Sequence, residues 1–142
     1  MHRNRGIAQV VGSLTMMLAL PLVLIPVEIY LPYPYLIEEM AKFLVIYRMI
    51  GSYNIKHGWW MCVAGTGFAF ALSESALYVN RILMSGGATL LLKRLVLTAA
   101  LHSLTSMIIY SGIRFGKNLW MITLPIAIIV HYIYNYFVVL IL

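Results

Sequence analysis

Five long apolar runs follow one another along this chain, and they constrain its fold more than any single residue does. They cover about Ile7 to Leu31, Tyr35 to Ile50, Gly58 to Val79, Ala88 to Phe115 and Leu119 to Leu142. A helix that crosses a bilayer needs about 20 apolar residues, and only the second run falls short of that. Little is left over for a soluble domain, since 63% of the residues are hydrophobic and 10% are charged. A water-soluble domain of this length lacks the polar surface to cover so much apolar side chain. The expected fold class is all-α: a polytopic membrane helix bundle of about five transmembrane helices, with residues 1–142 forming a single transmembrane core.

The breaks between runs carry turn chemistry. Leu31-Pro32-Tyr33-Pro34 separates the first two, and Ser85-Gly86-Gly87 separates the third and fourth. Pro21 and Pro26 lie inside the first run and predict a kink there. The opening Met-His-Arg-Asn-Arg reads as the flank of a first transmembrane helix rather than of a signal peptide. The apolar run continues too far, and no small-x-small cleavage site follows Leu20.

The net charge is +6, but the basic residues sit at segment ends and not along one face, which argues against nucleic acid. With the N-terminus inside, the inner side carries Arg3, Arg5, Arg48, Lys56, Arg114 and Lys117. The outer side carries Arg81, with Lys93 and Arg94 just inside the fourth helix. The excess predicts an inner N-terminus and an outer C-terminus. Cys62 is the lone cysteine, so no disulfide framework or multi-cysteine metal site is available.

Ionisable and strongly polar groups inside membrane spans are costly and usually face the bundle interior. Here they are Glu38, Glu39 and Lys42 in the second run, Glu74 in the third, His102 in the fourth, and His131 with Asn135 in the fifth. At about 1.5 Å per residue, all of them fall in one layer of the outer half of the membrane. His131 and Asn135 are four residues apart, as are Glu38 and Lys42, so each pair shares a helix face and the second spacing permits an ion pair. Gly65, Gly67, Ala69 and Ala71 form a small-residue stretch that would let another helix approach closely. Each feature also has a plainer explanation. Adjacent glutamates can be an interfacial charge cluster, Glu74 an interfacial acid near Arg81, His102 a packing histidine, and His131 with Asn135 an interhelical clasp. Glu28 reads as interfacial. The coincidence of depth is what favours a site.

Such a set suits hydrolysis. A carboxylate can act as general base toward a water, a histidine can share that water or protonate a leaving amine, and an asparagine amide can donate to an oxyanion. The chain contains no aspartate, which excludes an aspartyl dyad.

"EEMAK", Glu38 to Lys42, resembles the E-E-x-x-K motif of the PrsW family of intramembrane proteases. "FALSE", Phe70 to Glu74, is similar to that family's F-x-x-x-E. His102 in "ALHSLTS" resembles its next motif, and "HYIYN", His131 to Asn135, its closing H-x-x-x-N. The four occur in order and span most of the chain. The related type II CAAX-prenyl proteases carry E-E-x-x-x-R and F-x-x-x-H, where this chain has Phe43 and Glu74 instead. The resemblance implies an integral multi-pass protein of a prokaryotic cell membrane that hydrolyses a peptide bond of a membrane-anchored protein near the outer face. In bacteria that family includes site-1 cleavage of an anti-sigma factor. Carried over, the catalytic residues are Glu38, Glu39, His102, His131 and Asn135, with Glu38 as the water-activating base. Lys42, Phe70 and Glu74 support them.

No cofactor is expected, because no H-E-x-x-H pair is present. If zinc takes part, its ligands are His102, His131 and Glu38. The same superfamily includes a non-proteolytic scaffold subunit. A scaffold built on the Gly65/Gly67 face and a proton or ion pathway through the carboxylates are therefore the competing functions.

Overall fold

The computed structural model describes residues 2–51, 59–116 and 118–141, with the side chains of 10–50, 59–116 and 118–138. Lys56, Lys117 and the side chains of Arg3 and Arg5, which carry much of the expected inner charge, lie outside the described residues, as do Gly58 and Leu142. The described residues are all-helical, in four helices: α1 (His2–Tyr30), α2 (Pro34–Gly51), α3 (Trp59–Phe115) and α4 (Trp120–Ile141).

The third and fourth apolar runs are the two arms of α3, on either side of a kink at Gly87. A straight helix of 57 residues would be about 85 Å long at about 1.5 Å per residue, far beyond a hydrocarbon core of about 30 Å. α3 is not straight. Gly87 has φ 66° and ψ −166°, a conformation essentially confined to glycine. The arms on either side, 59–86 and 88–115, fold back on each other. Ser103 Oγ donates to the Ala64 carbonyl at 3.1 Å, and His102 meets Glu74 at 2.7 Å.

Other boundaries follow local chemistry. α1 stays helical through Pro21 and Pro26, so neither proline breaks it. Leu31 N–H donates to the Val27 carbonyl as α1 ends. Pro34 opens α2, where its fixed φ suits a first turn and its missing N–H costs nothing.

Three helical segments are long and apolar enough to span a membrane: Val10–Tyr30, Trp59–Phe115 and Trp120–Val138. α2 is not among them, since its 18 residues include Glu38, Glu39, Lys42 and Arg48. α1 and α4 each pack on α2 and α3, but their backbones do not approach within 8 Å of each other.

Burial is inverted relative to a water-soluble protein. Leu22, Val23, Ile29, Leu44 and Leu92 are exposed, whereas Glu39, Lys42 and His102 are fully buried. Soluble domains almost never bury lysine and glutamate this completely unless the two are paired, as Lys42 and Glu39 are here. Beside this polar centre lies an apolar core that includes Met17 of α1, Ile46 of α2, Val63, Phe70 and Ile109 of α3, and Ala127 of α4.

The arms of α3 meet closely at Gly67. A Cβ there would run into the His102 carbonyl, whereas one at Gly65 would meet only Leu14 Cδ2 at 3.9 Å. Gly67→Ala is therefore expected to lower stability by about 1–3 kcal/mol, and Gly65→Ala to leave it nearly unchanged. Thermal unfolding of both variants in one detergent checks this.

Candidate functional site

α2 places Lys42 at the centre of the bundle. Its ammonium has three N–H donors and no acceptor, and all three are used. They reach Glu39 Oε1 at 2.5 Å, His102 Nδ1 at 2.9 Å and Thr105 Oγ1 at 3.1 Å. The Phe70 ring lies beneath it, with its centroid 5.1 Å from Nζ. The sequence spacing permits a Glu38–Lys42 pair; the structure pairs Lys42 with Glu39 instead. One position along the helix turns the side chain by about 100°, so Glu39 points inward with Lys42 while Glu38 faces a cavity.

The donor arithmetic fixes the ring proton of His102. His102 Nδ1 accepts from Lys42, so the ring proton is on Nε2, which donates to Glu74 Oε2 at 2.7 Å. His131 Nδ1 donates to Glu39 Oε1 at 2.7 Å. Its other nitrogen, Nε2, lies 3.8 Å from Glu38 Oε2, too far for a direct hydrogen bond. Glu38 Oε2 is buried and has no hydrogen-bond partner; neither has Glu39 Oε2.

The cavity beside this network has a volume of about 520 Å³. Its walls come from the end of α1, the start of α2, both arms of α3 near Gly87, and the end of α4. Glu38, Phe70, Glu74 and Asn135 line it, together with Glu28 and Arg94. Arg94 Nη2 is 3.8 Å from Glu74 Oε1, and its guanidinium lies over the Tyr78 ring. Arg81 is not the partner of Glu74, because the hairpin at Gly87 brings Arg94 back alongside it.

The residues singled out from sequence thus fall into two groups. Glu38, Phe70, Glu74 and Asn135 reach the cavity. Glu39, Lys42, His102 and His131 form the buried network behind it. Thr105 went unnoticed in the sequence, as did the hydrogen-bonded Thr98–Tyr134 pair at 3.0 Å. A signal was present: Thr98, His102 and Thr105 follow one another at four and three residues, the spacing of one helix face, and all three are buried.

Glu38, His102 and His131 present ligand atoms within 4.8 Å of one another, which is the spacing of a metal triad. The hydrogen bonding fits a metal less well. His102 has no lone pair to spare while Lys42 holds Nδ1 and Nε2 keeps its proton for Glu74. A dication would also sit beside the Lys42 ammonium. A scan against protein-family models, a search of curated proteins and a search of solved structures each returned no match.

Proposed function

We propose that the chain is an intramembrane endopeptidase that hydrolyses a peptide bond of a membrane protein with a glutamate-activated water, a PrsW-like core without a resident metal. The observation that carries this is Glu38, which lines the cavity with a buried Oε2 that has no hydrogen-bond partner, while His131 Nε2 lies 3.8 Å behind it. A water held at Glu38 on the cavity side gives its proton to that carboxylate as its oxygen attacks the substrate carbonyl. Glu38 then returns that proton to the leaving amine. The Asn135 amide is the donor available to the oxyanion from the cavity wall. Glu39 and Lys42 position His131, while His102 and Glu74 position Lys42 in turn.

We also infer that the two arms of α3 cross the membrane separately. With α1, α2 and α4 this gives about five transmembrane segments, N-terminus inside and C-terminus outside, and the cavity then opens toward the outer face of a prokaryotic cell membrane. A proton pathway is less well supported, because the two outlets of the network, Glu38 and Glu74, open on the same cavity.

The test is cleavage of a membrane-anchored peptide library by purified protein in liposomes, with metal analysis of the same sample. The expected result is cleavage that a chelator leaves intact, with no bound zinc. Stoichiometric zinc and chelator-sensitive cleavage would assign Glu38, His102 and His131 as ligands. Absence of both cleavage and metal would favour a scaffold.

A further inference from the structure

The chain has a net charge of +6 but only four acids, and all four gather at one cavity. Glu28, Glu38 and Glu74 line it, and Glu39 lies directly behind; among the described lysines and arginines only Arg94 reaches its wall. These charges are not equally compensated. Glu39 is held by Lys42 and His131, and Glu74 by His102 and Arg94. Glu38 keeps a buried oxygen without a hydrogen-bond partner. Glu28 makes no hydrogen bond or ion pair among the described residues, although it is only partly exposed. An uncompensated carboxylate at the edge of a hydrocarbon layer is costly, and a cation arriving from outside the chain would relieve that cost.

α1 and α4 both line the cavity, and their Cα atoms stay more than 8 Å apart. Its volume of about 520 Å³ lies within the range of about 300–1,000 Å³ typical of ligand sites.

We propose that the cavity selects a membrane-protein segment bearing a lysine or arginine at the end of its span, and that Glu28 is the specificity-determining residue that receives this side chain. Arg94 does not oppose it, being paired with Glu74 and stacked on Tyr78. Lysine and arginine suit the position because their long stems run along apolar surface while the charged head reaches the interface. In the orientation proposed above the cavity faces outward. Basic residues are scarcer at the outer ends of spans, so the mark is a selective one. The proposal rests on the cavity's being a substrate site, and binding tests it apart from hydrolysis.

The experiment uses two fluorescent single-span Leu/Ala peptides in nanodiscs, identical except for a lysine pair or a glutamate pair at the outer end. Binding to the full chain is measured alongside cleavage. The expected result is about tenfold tighter binding of the lysine peptide. Glu28→Gln should remove most of that preference and Glu28→Lys should invert it, with the fold of both variants checked by thermal unfolding. Equal binding of the two peptides, or a preference unchanged in Glu28→Gln, overturns the proposal. A charge preference that depends on Glu28, with neither peptide cleaved, supports the selection while removing the hydrolytic function.

Discussion

Glu38→Gln is expected to lower the cleavage rate by about 10²–10⁴-fold, the usual contribution of a general base, with little change in stability. The two side chains have nearly the same shape. Glu38 donates to nothing and its Oε2 has no hydrogen-bond partner, so removing its charge breaks no bond in the resting protein. Substrate binding should persist. The loss should therefore appear in kcat rather than KM, measured on a membrane-anchored peptide with the thermal midpoint followed in parallel. A variant that cleaves normally would transfer the role of base to another group, and Glu74, which faces the same cavity, is the one to substitute next.

The second large effect concerns stability. Lys42→Met keeps the length of the apolar stem but removes the ammonium from Glu39, His102 and Thr105 together. Glu39 then keeps only His131 as a partner, in a fully buried position. Breaking a buried pair from one side costs roughly 3–5 kcal/mol. Replacing both members is far milder, so Lys42→Met combined with Glu39→Gln should recover much of the lost stability. Activity should not return with it, because His131 has lost the carboxylate that directs its Nδ1 proton. A double-mutant cycle read by thermal unfolding, with cleavage measured on each variant, checks both halves.

Much of this site was legible in the sequence because membrane spans carry so few ionisable residues that each stands out against its background. Glu38, Glu39, Lys42, Glu74, His102 and His131 could be noticed for that reason alone, and helical rise put them at one depth. Partnership was harder to read. Glu38 and Glu39 are both within reach of Lys42 along the helix, and only the placement of α3 and α4 shows which faces inward. Thr105 and Thr98 escaped because hydroxyls are common in spans and carry no charge to mark them. Glu28 looked interfacial because nothing in its own segment shows that a cavity lies beside it. In the fold, the glycine pair at 86–87 marked the turn, and the two arms of α3 part at Gly87.

The three-way grip on Lys42 also bears on how the protein is made. α2 emerges from the ribosome carrying its own acids and lysine, and by hydropathy it lacks what a helix needs to enter lipid alone. Glu39 and Lys42 can pair within α2, but the imidazole that shares Glu39 belongs to α4, and the acceptors that complete the lysine's shell belong to the second arm of α3. Those segments are synthesised later. α2 therefore takes its final place as a dependent segment, its charges partnered by helices that follow it in the chain. A nascent chain cannot hold the assembled network before α4 has arrived.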